Sequence, residues 1–446
     1  MKDRELFEQA MDHIEPEQID EASHPKKKRR ILPWIGAIAA VLALAITAGL
    51  FLPSLALRVS AVSLAEYPEY DWEYRRDLRE KLVPLHDFWK ESLSQVLTGS
   101  QENAAFSPAN LSMGLSIAAE LTAGDSRSQI LDALNLEDTE HMRELFHEIW
   151  LATYLDDGDQ TLLANSLWLD ETLTYDRRTM DMLAEEYYTS VYRQDLSKAS
   201  GDIRTWLNQQ TGNLLKQETS RLQLPPNTLL ALYSTIYYRA KWNDEFRSVN
   251  NTQKVFHGTS GDTVCTYMNS KEWEMYYYWG EDYGAVSLPL KDSSTMWLIL
   301  PDEDKTVVDV LSSGEYYDML LKTYSWENSK YMKVNLSLPK FDIRQSNNLK
   351  DALMDMGITD VFNPIKSNFS SALGADDPLF FTAVNQATRV AIDEKGVTAA
   401  SYIEFPGAGA AEPPEEIIDF VLDRPFLFVI TNRYGIPLFA GVVNQM

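Results

Sequence analysis

The feature that most restricts this chain is an uncharged run of 22 residues, 31–52, placed directly behind the basic cluster KKKRR at 26–30. A helix needs about 20 apolar residues to cross a bilayer core, whereas the apolar core of a cleaved export signal holds about 7 to 15 behind a short leader. The run is too long for a signal and its leader of 30 residues is unusual for one, so a transmembrane anchor is expected. Basic residues stay on the cytoplasmic side. Arg58 is the only base just after the run. Residues 1–30 are therefore expected in the cytoplasm, and everything beyond 52 outside the cell. The alternative is cleavage near Ala56, which would secrete the same domain.

Cys265 is the only cysteine, so neither an intramolecular disulfide, a cysteine-rich metal site nor a lipid-modified cysteine anchor is available. It lies in the alternating stretch TVCTYM, which reads as a strand and gives the thiol a structural place. With 66 acidic and 40 basic residues the net charge is −26. Such a chain repels phosphate backbones, and nucleic acid is not an expected partner. The 45% hydrophobic content supplies a sizeable core.

Residues 53–75 show no sustained periodicity and read as a spacer. Residues 76–446 read as one mixed unit with helices dominating its first half and strands its second. FWKESLSQVL (88–97) and SPANLSMGLSIAAELTAG (107–124) are helical, the latter with Ser107 as cap, Pro108 in the first turn and Gly124 closing the end. MKVNLSLPKF (332–341) alternates as a strand, MWLILP (296–301) suits a strand buried on both faces, and FLFVITNRYGIPLFAGVV (426–443) reads as a terminal hairpin turning at 432–435.

A catalytic constellation is missing. Four histidines lie beyond the run, His86, His141, His147 and His257, and Leu151 stands where a metalloprotease helix would need its second histidine. There is no G-x-S-x-G elbow, S-x-x-K pair or phosphate-cradling glycine loop. A membrane-bound hydrolase is the least favoured reading. No cofactor and no metal are expected.

The most unusual stretch is RVAIDEKGVTAASYIEFPGAGAAEPPEEIIDF (389–420). A strand-like start passes into about 21 residues rich in Ala, Gly and Pro. Within them Val397, Ala399, Ser401 and Ile403 alternate with Thr398, Ala400, Tyr402 and Glu404. The first set is small or apolar, the pattern of a strand able to slide into a packed sheet.

Ordered motifs across 85–446 carry a family resemblance: NAAFSP (103–108), NSLWL (165–169), YYRAKW (237–242) with Phe246, AVSLPL (285–290), LSLPKF (336–341), MGITDVF (356–362), IDEKG (392–396), DRPFLFVI (423–430) and PLFAG (437–441). The chain resembles a serpin. That resemblance implies an α+β fold with three β-sheets and about nine α-helices, an exposed reactive-centre loop, and here a single transmembrane helix in front. It also implies a monomer acting as a suicide substrate: a protease cleaves the loop, which then inserts into the central sheet while still bound to the enzyme as an ester.

The resemblance assigns residues to this device. Glu394, Gly396, Val397, Ala399, Ala400 and Ser401 form the loop hinge, where Val397 replaces the family's usual threonine. Lys340, Glu394 and Trp242 form a gate at the top of the central sheet. Ser107, Ser234 and Gln386 form a lower gate in which a family asparagine and histidine are replaced by Ser234 and Gln386; Ala240 replaces a family glycine. Family spacing places the reactive bond between Ala410 and Ala411, within a window of 408–411. Small residues there suit elastase-like or subtilisin-like serine proteases outside the cell, with papain-like cysteine proteases as further partners. A non-inhibitory serpin acting as a surface binding protein is the runner-up.

Overall fold

Helix starts follow from their caps. Ser107 stands in extended backbone, its hydroxyl accepts from the Asn110 N–H at 3.1 Å, and Pro108 occupies the first turn, so the helix Pro108–Leu121 begins where cap and proline place it. All its residues except Gly114 are buried. Its end departs from the sequence reading: Thr122 turns its hydroxyl back onto the Ala118 carbonyl at 2.9 Å, and Gly124, with φ +55°, opens the next helix, Gly124–Ala133. Asp138 caps the helix Thr139–Thr153 by accepting from His141 N–H at 2.8 Å. The computed structural model describes residues 57, 59–68, 77–157, 159–213, 215–323, 325–374, 379–397 and 414–446. The expected span at 31–52 lies outside them, and among the described residues no helix is long and apolar enough to cross a membrane. Eleven α-helical segments are described; Leu78–Lys81 and Lys216–Thr219 are single turns, which leaves nine longer ones.

Three sheets form. The central sheet of eight strands runs in the order Ala61–Ser63, Thr189–Gln194, Asp159–Asp170, Leu230–Lys241, Gly396–Val397, Asn385–Asp393 and Asp342–Asn348, with Leu155–Asp157 folded against Asp159–Asp170. A ten-stranded sheet contains the strands whose alternation was legible. Ser329–Pro339 takes in residues 332–339 of the MKVNLSLPKF motif, Thr295–Pro301 is almost wholly buried, and Phe426–Thr431 pairs antiparallel with Pro437–Val443 as the terminal hairpin. Cys265 lies on Gly261–Asn269 of this sheet, and burial pushes its thiol above the ordinary range, as suits a structural residue. The third sheet pairs Thr174–Tyr175 with Leu373–Gly374.

Part of the segment read as a spacer belongs to this domain. Ala61–Ser63 pairs antiparallel with Thr189–Gln194 at the edge of the central sheet, and Leu57 is buried beside Trp168, Tyr192 and Trp206. Three residues are too few to display a period of two, which is why sequence patterning did not reveal the strand. Above the same face lies the helix Ser200–Gln210, which buries Ile203, Trp206 and Leu207 against it.

Candidate functional site

The strand Asn385–Asp393 ends in a two-residue turn, Glu394 and Lys395, after which the chain folds back as Gly396–Val397. The Asp393 carboxylate holds this turn by accepting from the backbone N–H of Lys395 at 2.8 Å and of Gly396 at 3.3 Å. On its other side the short strand pairs with Leu230–Lys241, Gly396 facing Lys241 and Val397 facing Ala240. Val397 is only 2% exposed. A Cβ on Gly396 would stand 2.2 Å from the Ala240 carbonyl oxygen and 2.6 Å from the Lys241 Cα, so only glycine permits strands to close this tightly.

Three expected residues meet at this upper end of the sheet. Lys340 forms an ion pair with Glu394, and Asn251 donates its side-chain amide to the same carboxylate oxygen. Burial would raise the Glu394 carboxyl, but the hydrogen bonds from Lys340 and Asn251 outweigh it and hold the group below the usual glutamate range. Trp242, 1% exposed, donates its indole N–H to the Asp393 carbonyl at 2.8 Å, while its backbone N–H reaches the Lys395 carbonyl at 3.0 Å. Phe246 packs edge-on against Trp242, and its N–H reaches the Glu394 carbonyl at 2.9 Å.

Lower in the sheet the expected trio is arranged as two pairs. Gln386 Oε1 accepts from the Ser107 backbone N–H at 2.7 Å and Gln386 Nε2 donates to the Ser107 carbonyl at 3.0 Å, a two-way bond to backbone and not to the hydroxyl. Ser234 instead hydrogen-bonds Asn110, whose Nδ2 donates to the Ser234 carbonyl at 2.9 Å. Asn110 and Asn251 were both missed from the sequence. Their partners lie 124 and 143 positions away, and nothing in local periodicity marks them.

Below the two residues of the hinge strand, no strand among the described residues pairs between Leu230–Lys241 and Asn385–Asp393. At the lower end of these two strands lies a cavity of about 770 Å³, lined by Asn110, Leu115, Leu232, Ser234, Phe381 and Gln386 among others. Ala399, Ala400, Ser401, Ala410 and Ala411 lie outside the described residues. Among the described residues no group of histidine, cysteine and carboxylates could hold a metal. His147 bonds the Glu186 carbonyl at 2.9 Å and His257 bonds Asp262 at 2.8 Å, at separate places in the fold.

The family model described as "Serpin (serine protease inhibitor)" matches residues 86–446. A plasminogen activator inhibitor 1 from Neovison vison is 27% identical over 379 residues, covering 80% of this chain and 91% of that protein. A serine protease inhibitor from Cyanea capillata is 27% identical over 365 residues, 78% of this chain and 94% of that one. Among solved structures, the thermophilic serpin tengpin in its native state superposes with a TM-score of 0.73 at 22% identity, covering 86% of this chain and 97% of that one.

Proposed function

This chain belongs to the serpin family, whose members are mostly protease inhibitors and not catalysts, and we propose that it traps proteases by inserting its cleaved reactive-centre loop. The observation that carries this reading is a strand position that, among the described residues, is occupied by two residues only. Two loop residues, Gly396 and Val397, already sit between the two central strands, and farther down the same two strands Ser234 and Gln386 line a cavity. A sheet built this way can accept more of the strand that has begun to fill it.

The chemistry is supplied by the target. The protease's serine oxygen attacks the carbonyl carbon of Ala410, the bond to the Ala411 nitrogen breaks, and the nitrogen leaves with a proton from the enzyme's histidine. The loop is then joined to the enzyme as an ester. Insertion of residues beyond Val397 competes with hydrolysis of that ester, and this chain's part is to win that competition by adding paired backbone to both neighbouring strands. Ala410 and Ala411 suit the shallow pockets of elastase-like or subtilisin-like enzymes. The basic cluster and the uncharged run at 26–52 support a membrane-anchored domain facing outward.

The test is incubation of the full chain in detergent with a panel of serine proteases, followed by denaturing electrophoresis. The expected result is a complex that survives denaturation with an elastase-like enzyme, together with a released peptide beginning at Ala411. Cleavage without complex formation would instead favour a non-inhibitory surface binding protein.

A further inference from the structure

Both groups that hold the Glu394 carboxylate are anchored in the ten-stranded sheet. Lys340 follows the strand Ser329–Pro339, and its backbone N–H reaches the Thr266 carbonyl at 3.0 Å. Asn251 precedes the strand Thr252–Gly258. Thr252 and Pro339 pair with Tyr267 from its two sides, so one strand of this sheet steadies both partners. The Asn251 N–H also closes one turn of 3₁₀-helix, Ser248–Asn250, on the Ser248 carbonyl at 3.1 Å, and Asn269 holds the Asn250 carbonyl at 2.7 Å. Asn251 is thus a fixed donor aimed at the hinge turn.

Its amide has one way to stand. An ionised carboxylate accepts and does not donate, so Asn251 presents Nδ2 to Glu394 and its Oδ1 faces elsewhere. That oxygen is buried, and among the described residues no donor reaches it. A buried acceptor without a partner costs stability, whereas a leucine of nearly the same shape would carry no such cost. Stability alone therefore gives no reason for asparagine here. The bond to Glu394 does.

Glu394 and Lys395 make up the turn that returns the chain into the central sheet, and the strand behind it, Gly396–Val397, is two residues long. So short a strand has few ladder bonds of its own, and its seat depends on the turn. The segment carrying Asn251 grips that turn twice, with the Phe246 N–H on the Glu394 carbonyl at 2.9 Å and the Asn251 amide on the carboxylate. While the turn is held, Gly396 and Val397 are already ordered and each further loop residue extends an existing strand. If the turn frays, they must be ordered again while the ester is being hydrolysed.

We infer that Asn251 is a positioning residue for trapping, one that keeps the hinge turn seated and so sets how much of the acylated protease is trapped and how much is released. The inference rests on the inhibitory reading above.

The test compares the full parent chain with Asn251→Leu, in detergent and with an elastase-like protease as probe. It reads the rate of loop cleavage, the ratio of cleaved chain to covalent complex on denaturing gels, and the thermal midpoint. The cleavage rate should be unchanged and the ratio should rise about three- to tenfold. The midpoint should stay within about 3 °C of the parent's, because the lost bond to Glu394 and the removed orphan oxygen offset each other. In a Glu394→Ala background the same substitution should leave the ratio where it is, since the carboxylate through which Asn251 acts is gone.

A ratio equal to the parent's, or an equal rise in both backgrounds, would overturn the assignment. So would a midpoint about 10 °C or more below the parent's, which would make Asn251 a packing residue. A parent that forms a complex with no protease of the panel removes the inhibitory reading itself and the inference with it, a signal distinct from any given by the variant.

Discussion

Glu394 is where burial and pairing oppose each other most directly at the hinge. Its carboxylate serves Lys340 and Asn251 while its carbonyl holds Phe246, so one residue ties the turn to three parts of the chain. Bonds to a partly buried charge each contribute about 1.5–3 kcal/mol, and Glu394→Gln, which keeps the shape, should cost about 1–2 kcal/mol at neutral pH. The sign with pH follows from the lowered carboxyl. A carboxyl whose folded value lies below its unfolded one adds stability that is complete above the ordinary glutamate range and is lost as pH falls through the folded value. Thermal midpoints of parent and variant should therefore differ at pH 7 and converge on acidification below that range. A gap that persists once the Glu394 carboxyl has taken up its proton in the folded protein would assign the effect to packing and not to charge.

The hinge hairpin depends on the close approach at Gly396. The atoms that a Cβ would meet belong to the backbone of Ala240 and Lys241 and cannot swing aside as a side chain would. Gly396→Ala should therefore expel Gly396 and Val397 from the sheet, at a cost of about 1–3 kcal/mol. Faster hydrogen exchange at these two amides is the measurement; unchanged protection would mean that the strands can separate to accommodate a methyl group. Much of this element was legible in the sequence, because a glycine beside an alternating small-residue stretch is a local signal. The helix capped by Ser107 was legible for the same reason. The lower pairs were legible only in part: Ser107, Ser234 and Gln386 stand at motif positions, but the choice of Asn110 as the partner of Ser234 is made by packing across 124 residues. The strand Ala61–Ser63 falls at the other extreme, since its conformation comes from the neighbour it pairs with and not from its own pattern.

For the molecule as a whole, the described residues fill one strand position only at one end, and filling the rest should stabilise the fold. The registers specify how. Val397 faces Ile392 on one side and Ala240 on the other, so continued insertion would bring Ile403 to the row of both Ser234 and Gln386. The inward alternation Val397, Ala399, Ser401 and Ile403 thus ends at the lower pairs, over the cavity. Each inserted residue between them would satisfy backbone donors and acceptors on two strands that, among the described residues, have no ladder partner there, a net contribution of about 0.5–1.5 kcal/mol per bond. Against this stands an ordering cost of about 1–2 kcal/mol per residue. Side-chain burial in the cavity should tip the balance by several kcal/mol toward the inserted form. At about 2–4 °C per kcal/mol for a domain of this size, a chain nicked once within 408–411 should unfold about 10 °C or more above the intact one. Circular dichroism melts of the two forms make the comparison. Equal midpoints would mean that the loop does not enter the sheet after cleavage, and the trapping mechanism would then have no source of driving force.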